Sequence, residues 1–567
     1  MRLLLATTTG LGLLEGIVLA SCQQHASVAS SDWEQLHQKV QGRLYEGTPF
    51  SKPCFDDHDS AECHAIVAGY SNDTFRSQYF GAYVNTNWET CQAIRNDSCL
   101  LDYTDPANIF PTLPPNRCLI GSVPQHYIDV RTHEDVAAAF DFSKKTRVPL
   151  IIKNTGHDYK GRSSAPNSLA LWTHNMKNMS YDPTFVPEGC ATPSPGVTVG
   201  AGVQWGEAYP FAEAHNITLV GGSDKGVGVS GGWLQGGGHG ALTNTMGMGV
   251  DRVLQFKVVT PDGQYRVANA CQNEDLFFAL RGGGGGTFGV VLESTTLASP
   301  QVTLQVVVVT WTNPNATLTE SLWSILVDNA EKWANEGWGG FVAGQSVIYI
   351  TPTLDKNQAA ESMKPVIDFG EKVMQDGVVG AQLLALEFPS WYTFFDTFAS
   401  TDSADVGVEL ALASRLIPSA NFSNSTSRSE LLTALLKAHE ISPGLRFLVS
   451  PPTSYKGDGM TSVTEAWRDS IYHITLVETW LWNATVEVKK EKYKGASQAI
   501  NHLRRITPDA AYSNEADVHE PNHEVSFWGS HYPKLLAIKN KYDPDHLLDC
   551  WQCVGWHANS PRFACYI

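Results

Sequence analysis

Basic charge is what this 567-residue chain lacks most: 40 Lys and Arg stand against 58 Asp and Glu, for a formal charge of −18 and a pI near 5.4. Nucleic acid and anionic lipid surfaces reward clustered Lys and Arg, which so acidic a balance opposes, so neither is expected as a partner. Long apolar runs are also missing. After the first twenty residues no continuously apolar segment approaches the roughly 20 residues that a helical membrane span needs. Internal repeats and low-complexity tracts are absent as well, which leaves no sign of a repeat architecture. What remains fits a large folded enzyme and leaves small neutral substrates open. Hydrophobic residues make up 43% and aromatics 10%, with 16 Trp, enough to offset the entropy of ordering the chain. At about 150 residues per domain, two to four structural units are expected.

Residues 1–20 read as a secretory leader: Arg2, then an apolar run from Leu3 through Leu14 to Ala20, with Val18 and Ala20 at the small positions a signal peptidase prefers. Glu15 interrupts the run, which argues against an anchor. Eleven cysteines, at 22, 54, 63, 91, 99, 118, 190, 271, 550, 553 and 565, suit an oxidising compartment, and their odd number leaves at least one thiol unpaired within a monomer. Asn72, Asn96, Asn178, Asn216, Asn315, Asn421, Asn424 and Asn483 each head a glycosylation sequon. A secreted, disulfide-bonded glycoprotein, monomeric by preference, is the expectation.

The chain changes texture four times. Residues 21–115 are cysteine-dense and polar and end in the breaker run Phe110-Pro111-Thr112-Leu113-Pro114-Pro115, as a disulfide-stapled extension would. Over 116–300 an α/β unit opens with a strand at Tyr127 to Val130, a helix started by Thr132 with Glu134 and Asp135 in its first turn, and an apolar strand from Val148 to Ile152. Glycines then thicken into what reads as a run of loops. Over 301–505, β-rich runs (Val302 to Trp311, Val347 to Thr351) mix with helical stretches such as Ser429 to Ile441. Residues 506–567 turn polar and close on a cysteine cluster.

Two motifs in the glycine-rich region are discounted by context. Gly226-Val227-Gly228-Val229-Ser230-Gly231 satisfies the dinucleotide pattern GxGxxG, with Asp251 at about the distance of a ribose ligand. That motif must open a helix, whereas Gly231, Gly232, Gly236, Gly237 and Gly238 each cost a helix about 1 kcal/mol against Ala. Gly228-Val229-Ser230-Gly231-Gly232 likewise matches a nucleophile elbow without an evident strand before it, so a hydrolase using Ser230 is the alternative outside redox chemistry. Several separate glycine loops, including five successive glycines at 282–286, instead suit close approach of backbone amides to an anionic diphosphate.

The runs Lys153-Asn154-Thr155-Gly156-His157-Asp158-Tyr159-Lys160-Gly161-Arg162-Ser163, Gly200-Ala201-Gly202-Val203-Gln204-Trp205, Val227-Gly228 through Gly236-Gly237-Gly238-His239-Gly240, and Leu276 to Arg281 through Phe288-Gly289 resemble the FAD-linked oxidases of the vanillyl-alcohol oxidase and berberine-bridge type, in their secreted fungal branch. Tyr512-Ser513-Asn514 and Trp528 to Pro544 resemble that family's closing segment. The resemblance implies an α+β, two-domain fold: a discontinuous FAD-binding domain completed by the C-terminal return, and a substrate domain with an antiparallel sheet and helices. It also implies FAD bonded covalently through His157. The expected cofactor-binding set is Lys153, Asn154, Thr155, Gly156, His157, Asp158, Gly161, Arg162, Ser163, Asp224, Val227, Gly228, Gly231, Gly237, Gly238, His239, Tyr512 and Asn514, with no metal.

Three positions refine what the resemblance implies. Many family members add a second flavin bond from a Cys three residues before the Val-Gly pair; Asp224 stands there, so a single covalent bond is expected and no cysteine as flavin ligand. Val227 occupies the position where family oxidases carry Val and dehydrogenases a bulkier Leu, which favours O2 as acceptor over a dehydrogenase or a non-catalytic flavin-binding protein. Glu515 replaces the tyrosine that serves carbohydrate-oxidising relatives as base. Desolvation would raise its pKa toward neutrality and fit it for that task; a salt-bridged structural Glu is the equal alternative. Cys550-Trp551-Gln552-Cys553, lacking a thioredoxin-like setting, reads as disulfide rather than redox motif. The substrate, a small molecule oxidised at an alcohol-type carbon, is not named by the sequence: sugar, aryl alcohol and secondary metabolite suit it alike.

Overall fold

The computed structural model describes residues 28–95, 97–398 and 405–567. The leader, Cys22 and Asn96 lie outside them.

The opening α/β unit forms because local signals agree with long-range pairing. Thr132 caps the helix His133–Thr146 in a capping box with Asp135, and the strands His126–Asp129, Leu169–Trp172 and Leu150–Lys153 run parallel in one four-stranded sheet. Their apolar residues Ile128, Leu150, Leu169 and Leu171 bury against Val136, Ala139 and Phe140 of that helix. A second, five-stranded antiparallel sheet carries the glycine-rich half, with Ser194–Gly200, Val290–Leu297 and Val253–Val259 at its centre. Between its strands the chain is not wholly loop: a five-residue helical turn, Gly232–Gly236, begins two residues after Ser230, with Gly231 as its N-cap. It is tolerated there because a partner outside the turn holds it, the Asn514 amide donating to the Gly232 carbonyl at 2.8 Å.

A seven-stranded antiparallel sheet forms the other half, in the order Gln382–Phe388, Leu304–Thr310, Ser346–Thr351, Gly339–Ala343, Arg446–Val449, Ser470–Trp480, Glu409–Pro418. Strand period decides what each face does. Val307, Val309, Ala411, Ala413, Ile474 and Leu476 point to a core shared with the helices Ala316–Asn335, Ser425–Ile441 and Val486–Arg504. Their alternates on the opposite face turn towards the first half of the chain: Val306, Val308, Ile348 and Ile350 pack with Trp205, Tyr209 and Leu219, while Leu410, Leu412, Thr475 and Val477 are left to line a cavity.

The C-terminal segment returns to the first half. Leu535 and Ile538 of the helix Tyr532–Tyr542 bury against Phe277 and Phe278 of the helix Glu274–Leu280. Disulfides join Cys54 to Cys63, Cys91 to Cys565, Cys99 to Cys118, Cys190 to Cys271 and Cys550 to Cys553. Cys91–Cys565 ties the last residues to the N-terminal extension across 474 positions. Among the described residues no helix is long and apolar enough to cross a membrane.

Candidate active site

One cavity runs between the glycine-rich half and the inner face of the seven-stranded sheet. The turn after strand Leu150–Lys153 enters it with Asn154, Thr155, Gly156, His157 and Asp158, and Arg162 and Ser163 follow. Opposite stand Asp224, Val227, Gly228 and Gly231, then His239, Tyr512, Asn514 and Glu515, with Phe341, Leu448 and Thr475 closing the far wall.

Backbone closeness shapes the floor. A Cβ on Gly228 would lie 2.0 Å from Asn154 Oδ1, and one on Gly285 would lie 2.9 Å from the Gly232 Cα, so these loops touch through glycine alone. Several polar atoms here are buried without a hydrogen-bond partner: Asn154 Oδ1, His157 Nε2, Asp224 Oδ2 and Gln235 Oε1. Asn154 Oδ1 and Gln235 Oε1, orphaned in a glycine cradle, fit a large polar cofactor such as FAD, whose heteroatoms would satisfy them.

Four expected ligands do not reach this cavity. Lys153 points the other way: its ammonium donates to the carbonyls of Phe80 and of Ala82 (2.6 Å) and sits 4.0 Å from the Tyr83 ring centroid, and burial lowers its pKa to about 7. Gly161 is packed under Trp88 and Tyr566. Gly237 and Gly238 form the bend after the short helix, against Met248 and Gly249. Runs that match a motif carry residues for the turn as well as for the ligand. Asp158 belongs partly to the turn as well, accepting from Ser163 N (2.7 Å), while Arg162 donates to the Trp551 carbonyl at 3.0 Å and so anchors the C-terminal return.

The two discounted motifs are occupied by structure. Asp251 is bound by Arg468 at 2.6 Å, and the Ser230 hydroxyl faces the Ser294 hydroxyl at 2.6 Å rather than an imidazole.

Glu515 stands between two histidines. Its Oε1 lies 3.0 Å from His239 Nε2 and its Oε2 2.8 Å from His473 Nε2. Burial by itself pushes the carboxyl upward, as expected from sequence, but the two imidazoles outweigh it and hold Glu515 well below the usual carboxylate range. That direction runs against a carboxyl poised near neutrality and towards the salt-bridged Glu that the sequence left as the equal alternative. His473 is fully buried, burial lowers its pKa against the pull of Glu515, and its Nδ1 has no hydrogen-bond partner. That pattern is a neutral ring donating Nε2–H to the carboxylate.

His473 and Asp73 were not found from sequence. His473 sits in the apolar run Ile471-Tyr472-His473-Ile474, where a lone polar residue was the available signal. Asp73 lies in the N-terminal extension and had none.

A family model described as an FAD binding domain matches residues 124–269, and one described as berberine and berberine like matches residues 511–554. The FAD-linked oxidoreductase ffsJ of Aspergillus flavipes is 37% identical over 585 residues, covering 95% of this chain and 94% of that protein. Among solved structures, the VAO-type flavoprotein MtVAO615 of Myceliophthora thermophila superposes with a TM-score of 0.82 at 26% identity, covering 94% of this chain and 97% of that one. The glucooligosaccharide oxidase of Acremonium strictum, described with a 6-S-cysteinyl, 8α-N1-histidyl FAD, shares the fold at a TM-score of 0.61 and 21% identity over 76% of this chain and 91% of its own. Similarity over nearly the whole length, joined to a cavity built by the matching segments, means that this chain belongs to the FAD-linked oxidoreductases of the vanillyl-alcohol oxidase and berberine-bridge family.

Proposed function

We propose that the protein is a secreted oxidase that holds FAD through a single covalent bond to His157 and oxidises an alcohol-type carbon of a small molecule, with O2 reduced to H2O2. The observation that carries this reading is the His239–Glu515–His473 unit on the wall of the cavity that His157 enters. Bound FAD supplies the hydride acceptor and passes the electrons on to O2.

The chain's own groups supply the proton chemistry. Glu515, as a carboxylate, accepts a hydrogen bond from the Nε2–H of His239, which leaves the lone pair on Nδ1, the tautomer that accepts a proton from a substrate hydroxyl. The imidazolium formed is then paired with a carboxylate 3.0 Å away. His239 is the base in this reading and Glu515 its positioning residue. Tyr512 stands edge-on to His239 at 5.1 Å and Trp467 stacks on it at 5.9 Å, fixing the ring. Val227 stands on the cavity wall, at the position where family oxidases carry Val and dehydrogenases a bulkier Leu. Secretion is supported by the five disulfides, and by the exposure of Asn72, Asn178, Asn216, Asn315, Asn424 and Asn483; Asn421 is buried and its amide donates to the Ile506 carbonyl.

The experiment is a peroxide screen of the purified protein over alcohols, sugars and phenolics, combined with acid precipitation. An oxidase of this kind gives a yellow pellet, one flavinylated peptide containing His157, and stopped-flow reoxidation faster than the second scale. Slow reoxidation in air would make it a dehydrogenase.

A further inference from the structure

The N-terminal extension does more than cover the domain. Its short helix Asp73–Arg76 carries the Asp73 side chain, 4% exposed, to His157. Asp224 arrives from the other side, with Oδ1 3.6 Å from His157 Nε2, and ligand atoms of the three residues lie within 4.8 Å of one another. Gly226 makes the meeting possible, since a Cβ there would stand 2.1 Å from Asp73 Oδ2 and 2.7 Å from His157 Nε2. Asp224 Oδ1 is held by the Gly226 N–H at 2.8 Å. Asp73 Oδ2, Asp224 Oδ2 and His157 Nε2 are all buried without hydrogen-bond partners. Burial first, and the Asp224 carboxyl second, raise the pKa of Asp73. The Asp73 carboxyl can therefore take up and release a proton beside the imidazole.

We propose that Asp73 and Asp224 form a proton-accepting pair that fixes the tautomer of His157 and takes its Nε2 proton as Nδ1 bonds to the flavin, making the N-terminal extension part of the cofactor-attachment machinery. The inference rests on His157 being the attachment point. In the step, an N–C bond forms between Nδ1 and the flavin 8-methyl carbon, while one C–H bond of that methyl and the Nε2–H bond break. The electron pair of the C–H bond stays on the isoalloxazine, which is left reduced by two electrons, and the two protons released balance that reduction. O2 then takes the pair and is reduced to H2O2. Asp73 and Asp224 touch neither substrate nor the methyl carbon; they act through His157.

The test uses the full-length protein. Asp73→Asn should keep the native melting temperature and total bound flavin, yet drop the acid-insoluble fraction of that flavin at least tenfold, and Asp224→Asn should drop that fraction as far. The double variant should fall no further than the worse single, because the carboxyls act as a unit, and Asp73→Glu should retain attachment. A folded amide variant with wild-type attachment overturns the proposal. The wild-type protein offers a second readout that needs no variant: the flavinylated peptide should be linked at Nδ1, and linkage at Nε2 overturns the proposal. If the flavin of the wild type is wholly acid-soluble, the reading of His157 itself fails, a result distinct from either.

Discussion

His239 Nε2 and Glu515 Oε1 lie 3.0 Å apart although 276 positions separate them in the chain. A carboxylate so placed sets which imidazole nitrogen carries the proton and leaves the other free to act as base. His239→Asn should therefore slow anaerobic flavin reduction by about 10²–10⁴-fold, and Glu515→Gln by about 10²-fold, with flavin still attached in both. Rapid-mixing absorbance with a substrate from the screen measures this. A wild-type rate in Glu515→Gln would move the base to another residue of the cavity wall.

Glu409, buried on the strand Glu409–Pro418, has its pKa raised by burial to about 7, against the pull of Lys489. Between the ordinary value of 4.5 and about 7 the folded protein holds a proton that the unfolded chain has released, so this residue's contribution to stability is full below that window and lost as pH rises through it. Melting curves at pH 5 and pH 8 should differ less for Glu409→Gln than for the wild type, by an amount equivalent to roughly 2 kcal/mol. Equal differences would show that burial does not penalise the charge.

The cysteine bridge between Cys91 and Cys565 holds down a tail whose Tyr566 hydroxyl donates to the Lys160 carbonyl at 2.7 Å and whose ring stacks on Trp551 at 4.0 Å. Cys565→Ser should cost roughly 2–5 kcal/mol, the usual range for a native disulfide, and loosen the turn that follows His157. Differential scanning calorimetry gives the first effect and the flavin-to-protein absorbance ratio the second. A variant that melts with the wild type would mean that packing alone secures the tail.

Two glycines predict opposite outcomes for the same substitution. Gly228→Ala forces Asn154 aside and should lower flavin content at least severalfold, because the Cβ has 2.0 Å of room. Gly495 sits inside the helix Val486–Arg504 with its nearest neighbour 3.7 Å away, so Gly495→Ala should stabilise by about 0.5–1 kcal/mol. Flavin content and melting temperature of the two purified proteins decide both.

Much was legible in the sequence because it depends on neighbours along the chain. Thr132 with Asp135 spells a helix start, and Lys153 to Ser163 spells a turn that the family shares. The unbroken apolar run Val306 to Val309 spells a strand. Other features were decided only when distant segments met. Which alternate of each strand faces the cavity follows from the seven-stranded register, which sets His473, Thr475 and Val477 on one face. Lys153 leaves the cofactor set because carbonyls of the N-terminal extension claim its ammonium. The sign of the shift at Glu515 could not be read from position 515: burial pushes it up, and it is two histidines, 276 and 42 residues away, that bring it down. The sequence by itself determined the family, the cofactor and the segments that surround it. The protonation states of the site belong to the tertiary structure, because a pKa is set by charges and hydrogen bonds within a few ångströms in space, whatever their distance along the chain.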